Sequence, residues 1–128
     1  MQRGLSLTPD SSVLRKIYAR QLLREQRGHK AIELLQTVPV PQMAHDLEYH
    51  ALLAAALQRA GEYRSASSIY AQLVKIRPKE ALWWLGMAVS LEQSGHREAS
   101  RHAYQKALNL PGLRPDLQSY VQGRLQAL

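Results

Sequence analysis

The chain has 128 residues, is 45% hydrophobic and carries a net charge of +7, the composition of one globular domain rather than of a disordered segment. It contains no cysteine, which excludes disulfides, thiolate metal sites and thiol redox chemistry. No apolar run approaches the roughly 20 residues of a membrane helix, and the opening "MQRGLSLTPD" lacks the apolar core of a signal peptide, so the chain as written reads as soluble.

In chain order, "LTPDSSVL" reads as a helix start, with Thr8 as N-cap, Pro9 at the first helical position and Asp10 near the positive end of the dipole. The first helix is expected from about Pro9 to Arg27. It falls in the basic end of the molecule, since residues 1–30 hold seven basic residues against Asp10 and Glu25. Gly28 is expected to break it. A shorter helix over "HKAIELLQTV" then runs to Pro39 and Pro41, two prolines that no helix continues through. A third helix is expected from Met43 or His45 to Ala60 and a fourth from Tyr63 to Ile76, stopped by Pro78. A fifth spans Glu80 to Ser94 and a sixth His96 to Leu110, stopped by Pro111 and Gly112. In the last stretch, Leu117, Tyr120, Val121, Leu125 and Leu128 recur at helical spacing on one side, the pattern of a capping helix over about 115–128. Alternation of period two never persists, so no strand competes.

Ala54, Gly61 and Tyr70, moved forward by 34 positions, land on Ala88, Gly95 and Tyr104, an internal period of the kind that marks helical arrays. The expected fold is all-α: a single-domain solenoid of about three helical hairpins, 9–39, 45–78 and 80–111, closed by the helix at 115–128. Small side chains at Ala54 and Ala66 let paired helices approach, and Tyr70 and Tyr104 fill the gaps toward the next repeat.

The second and third repeats resemble tetratricopeptide repeats. The motif places 4, 7, 8, 11, 15, 20, 24, 27 and 32 are held by His50, Leu53, Ala54, Leu57, Gly61, Ala66, Tyr70, Leu73 and Pro78. One repeat on they are Trp84, Met87, Ala88, Leu91, Gly95, Ser100, Tyr104 and Ala107, with Pro111 one place early. The first repeat is degenerate: aligning Ala19 and Ala31 with the small places puts Tyr18, Leu22 and Leu35 at core places but leaves Gly28 two residues late for the turn. A narrower resemblance covers "LLREQRGHKAIELL", "WWLG" and the closing "YVQGRLQAL", which are similar to the C-terminal region of the MSHA-type pilus biogenesis family MshN. That resemblance implies a role in bacterial type IV pilus assembly. It also implies an inner-membrane anchor upstream, with the present domain in the periplasm.

Nothing in the sequence suggests an enzyme, a metal or a cofactor. His29, His45, His50, His96 and His102 show no helical pairing or flanking acid of a zinc site, and no glycine-rich phosphate loop or nucleophile elbow surrounds Ser65, Ser67 and Ser68. Trp83 and Trp84 suit an aromatic ligand platform, but the register assigns Trp84 to a hairpin core and turns Trp83 toward the preceding repeat. Lys16, Arg20, Arg24 and Arg27 form a basic stripe along one helix face, either a solvated surface or a site for phosphates or acidic lipid. No aromatic is interleaved with those cations, which disfavours nucleic acid.

Two functional classes follow. One is a non-catalytic protein–protein interaction scaffold that takes a protein or peptide partner, including a pilus-assembly component. The other is a basic adaptor for nucleic acid or anionic membrane. For the scaffold, the tetratricopeptide resemblance implies a groove lined by places 2, 5, 9, 12 and 13: Glu48, Ala51, Ala55, Gln58 and Arg59, then Leu82, Leu85, Val89, Glu92 and Gln93. The competing reading of Leu85 and Val89 is that they pack beneath the C-terminal helix.

Overall fold

A computed structural model describes residues 11–37 and 39–128. Among them are seven α-helices and no strand: α1 Ser11–Arg24, α2 Gly28–Gln36, α3 Leu47–Arg59, α4 Tyr63–Ile76, α5 Ala81–Gln93, α6 Arg97–Asn109 and α7 Pro115–Ala127. Each helix packs on the next, and α1 on α3 and α3 on α5 pack one step further, which is the neighbour-only contact scheme of a solenoid. The hairpins close tightly because their facing places are small. Ala19, Ala31, Ala54, Ala66 and Ala88 are fully buried, and Ser100 takes the same kind of place by donating its hydroxyl to the Ala88 carbonyl at 2.9 Å.

The expected N-cap Thr8, with Pro9 and Asp10, lies outside the described residues. The first helix stops at Arg24 rather than Arg27, and Gly28 is not its breaker. The left-handed residue of that turn is Gln26, at φ 63°. Gln26 N–H donates to Leu23 O at 3.1 Å and Arg27 N–H to Leu22 O at 2.8 Å. The same pair of bonds recurs around Gly61 and Gly95, whose φ values are 86° and 89°. Gln26 thus occupies the turn place of the first repeat, and the glycine two residues later serves another end. A Cβ on Gly28 would stand 3.1 Å from Ala56 O and 3.2 Å from Ala60 N, so its bareness lets the start of α2 touch the end of α3. The third helix also starts later than expected. Met43–His45 form a short 3-10 turn, and α3 begins at Leu47 with Asp46 as N-cap, its carboxylate accepting the Tyr49 N–H at 3.1 Å.

The core falls into two clusters. The first gathers Ala19, Leu23, Leu35, Tyr49, Leu53 and Leu73, and the second Ala81, Leu85, Tyr104, Ala107, Leu113 and Val121. Met87 packs on both. Trp83 packs on the first cluster and Trp84 on the second, as the repeat register predicts. Trp84 also donates its indole N–H to Pro78 O at 2.8 Å and lies beneath the Lys106 ammonium. Tyr70 bridges the second and third repeats, with its ring so close to α5 that a Cβ on Gly86 would come within 2.4 Å of it.

Two substitutions test these backbone arguments. Gln26→Gly removes left-handed strain and is expected to stabilise the fold by about 1 kcal/mol in urea unfolding. Gly86→Ala overpacks the Tyr70 contact and is expected to destabilise it by about 1–3 kcal/mol in the same measurement.

Candidate partner-binding groove

The first helices of successive repeats stack side by side, so their exposed stripes run together into one concave face. A depression of about 610 Å³ opens there, walled by α3, α5 and α7. Eight of the ten expected groove residues line it: Glu48, Ala51, Ala55, Gln58 and Arg59 from α3, with Leu82, Leu85 and Val89 from α5. Ala51 and Ala55 keep the α3 wall low, while Leu82 is 55% exposed on the opposite side. Leu85 is nearly buried and Val89 packs on the second cluster beside Leu117, so both are groove wall and support for the C-terminal helix together.

Glu92 and Gln93 do not join the depression. Glu92 is 12% exposed and accepts the guanidinium of Arg124, whose Nε lies at 3.2 Å and whose Nη2 makes a second contact, together with the Tyr104 hydroxyl at 2.7 Å. These hydrogen bonds, Arg124's first, hold the Glu92 carboxyl below its ordinary pKa against the opposing effect of burial. Burial and the Glu92 bond push the Tyr104 phenol upward. Gln58 lines the groove, yet its amide nitrogen is committed, donating to Gly86 O and to Ser90 Oγ, both at 2.9 Å. The Arg59 guanidinium donates to Leu23 O at 2.8 Å. Beneath them Tyr70 forms part of the floor, its phenol pushed up to about 12 by burial, with the nearby Arg59 charge acting in the other direction.

The basic stripe is not one free cationic face. Lys16 lies 3.2 Å from the Asp46 carboxylate and 3.4 Å from Glu48, and its side chain is only 16% exposed. Arg20 pairs with Glu48 as well. Arg24 bonds Gln21 at 2.8 Å, and Arg27 stands 3.5 Å from Glu25. The stripe's first half is thus a seam joining α1 to α3. The described residues hold no cluster of three potential metal ligands. His50 is tied to Pro41 O at 2.6 Å.

Six lining residues lie outside the expected ten: Leu52, Tyr70, Trp83, Gly86, Leu117 and Tyr120. The signal for them was the period itself. Trp83 and Leu117 are 34 apart, as are Gly86 and Tyr120, so α7 continues the register as a fourth first helix. Tyr49 was missed too. It is fully buried, donates its hydroxyl to Leu35 O at 2.6 Å and accepts from Arg15 Nε at 3.1 Å, one repeat before Trp83 in register.

A family profile described as tetratricopeptide repeat matches residues 1–111. The chain belongs to the tetratricopeptide repeat family. Among solved structures, that of the Yersinia enterocolitica type III secretion translocator chaperone SycD is similar to it, with a TM-score of 0.77 and 21% identity over 94% of this chain and 91% of that one. At that identity the likeness concerns the fold. No curated protein sequence matches the chain. The tetratricopeptide assignment and the geometry agree on a surface suited to protein partners, and neither match involves a pilus protein.

Titration of Tyr70 gives a test of its place beneath the groove. An unfolded tyrosine releases its proton near pH 10, whereas folded Tyr70 holds it to about 12, so the folded state binds more protons in that interval and stability falls as pH rises through it. Tyr70→Phe is expected to flatten that fall, measured by urea unfolding across the interval. At the acid end the sign reverses: Glu92, held low by Arg124, stabilises above the usual carboxylate range and loses that contribution as pH drops, so Glu92→Gln is expected to flatten the acid limb.

Proposed function

We propose that this tetratricopeptide domain is a non-catalytic interaction scaffold that seats an apolar segment of a protein partner in the groove between α3, α5 and α7. The observation that carries this reading is the joint exposure of Leu82, Trp83, Val89, Leu117 and Tyr120 around the low wall of Ala51 and Ala55. An apolar bed of this size fits a short amphipathic helix or an extended peptide. Arg24 and Arg59 hold corresponding places on successive first helices, and neither forms an ion pair among the described residues. A segment bearing acidic side chains beside its apolar stripe therefore complements that rim.

The nature of the partner draws on two supports. The structure similar in fold carries the name of a translocator chaperone, consistent with a partner that is itself a protein. The resemblance of "WWLG" and "YVQGRLQAL" to MSHA-type pilus biogenesis proteins favours a pilus-assembly component.

The test is retention of proteins from a pilus-producing bacterium on the immobilised chain, followed by identification of what is held. Leu82→Asp alters a half-exposed wall residue, and Arg59→Glu reverses the rim charge while also removing its bond to Leu23 O. Each is expected to cut partner retention at least tenfold, about 1.4 kcal/mol, with the melting temperature holding in Leu82→Asp and falling modestly in Arg59→Glu. Undiminished retention by both variants would rule the groove out. Retention that collapses steeply with added salt in the unaltered chain would point to phosphate contacts instead.

A further inference from the structure

One buried polar group in the groove floor has no partner among the described residues. Tyr49, Tyr70 and Tyr104 are the buried tyrosines, at 0%, 6% and 0% exposed. The Tyr49 hydroxyl donates to Leu35 O and the Tyr104 hydroxyl to the Glu92 carboxylate. The Tyr70 hydroxyl is buried without such a bond, where buried hydroxyls are ordinarily paired. Packing does not require it. By the alignment that pairs Ala31 with Ala66, the first repeat holds Leu35 at this place, fully buried and without a hydroxyl.

The hydroxyl end faces the depression. Tyr70 and Gly86 both line it, and the ring meets the Gly86 position through its phenolic carbon and the two carbons beside it. Arg59 lines the same depression, and its charge acts on the phenol. One guanidinium nitrogen donates to Leu23 O, which leaves further N–H donors on the same group. No carboxylate among the described residues bonds either side chain. Glu48, the acid in the lining, stands about three helical turns away along α3 and is paired with Lys16 and Arg20.

The next repeat shows what completes such a pair. Tyr104 is Tyr70 moved forward by one period, and its hydroxyl donates at 2.7 Å to Glu92, which also takes the Arg124 guanidinium. One carboxylate there bridges a phenol and an arginine. In the second repeat the place of Glu92 holds Gln58, whose amide nitrogen is spent on Gly86 O and Ser90 Oγ. Phenol and arginine are present, and the acid is not.

We propose that the acid comes from the partner: the groove contains a carboxylate subsite, in which one Asp or Glu side chain of the docked segment accepts from the Tyr70 hydroxyl and pairs with Arg59. The inference rests on the groove reading above and makes it specific. A carboxylate has two oxygens for two converging donors, and its charge strengthens both bonds in a half-enclosed site. Apolar side chains of the segment spread over Leu82 and Val89, and the acid between them descends beside the small Ala55.

A display library of random peptides, panned on the immobilised chain, tests this. Binders lost on Leu82→Asp are groove binders, and they are expected to share one Asp or Glu at a fixed distance from their apolar residues. For the tightest of them, exchanging that acid for its amide is expected to weaken binding at least tenfold. Tyr70→Phe is expected to weaken the acidic peptide roughly tenfold and the amide peptide little, because both changes delete the same bond. Melting temperature supplies a readout that a structural hydroxyl would move. Tyr104→Phe takes a donor from Glu92 and is expected to lower it, whereas Tyr70→Phe is expected to leave it unchanged or raise it at neutral pH. A fall in Tyr70→Phe like that of Tyr104→Phe overturns the inference. Groove binders without a shared acid, or a Tyr70→Phe loss undiminished with the amide peptide, overturn it while the groove reading stands. A library that yields no groove binder overturns both.

Discussion

The contact of the Tyr70 ring with the bare backbone at Gly86 sets the spacing of the second and third repeats. An aromatic ring is large enough to fill the gap between hairpins only if the facing helix gives up a side chain at the point of closest approach. Met87, next along, then reaches both core clusters, and Trp83 and Trp84 divide between them. The distance of α5 from α3 follows from this contact, and so does the width of the concave face. Gln58 fixes the result by bonding the Gly86 carbonyl itself.

The groove is thus not an added feature but what stacking leaves over. Places that face inward along each first helix are excluded from the hairpin cores by geometry, so whatever residues stand there form a continuous strip. In α1 that strip is cationic and partly consumed by Asp46 and Glu48; in α3 the small Ala51 and Ala55 stand among Glu48, Gln58 and Arg59; in α5 it opens with the apolar Leu82, Leu85 and Val89. A partner passing along it meets charge first and hydrophobic surface after, which gives the face a direction.

Much of this was legible in the sequence because repeat packing is local. The 34-residue recurrence, the small places and the prolines gave helix number and pairing, and α4 from Tyr63 to Ile76 matches its expected span at both ends. What escaped depended on neighbours the linear pattern does not name. Gly28 looked like a displaced turn glycine, and only the approach of Ala56 reveals its use, while Gln26 bears the turn that its chemistry does not advertise. Lys16 and Arg20 looked free because their acids lie about thirty residues away in the chain, on the next first helix. Glu92 looked like a groove residue because the same place in α3 is one. Its capture by Arg124 depends on α7 standing in register as a further first helix, which the degenerate last stretch concealed.

One set of equivalent places changes character along the stack. Where α3 meets α5 the tie is Gln58 to Ser90; where α5 meets α7, one repeat on, it is Glu92 to Arg124; where α1 meets α3 the same two places hold buried Leu23 and Ala56. The joints are geometrically alike but chemically graded, from apolar through neutral polar to ionic. Such a stack is not a uniform spring. The Leu23–Ala56 contact weakens on cooling as hydrophobic attraction fades, whereas the Glu92–Arg124 tie yields to acid, so equivalent places answer to different surroundings at the two ends of the stack.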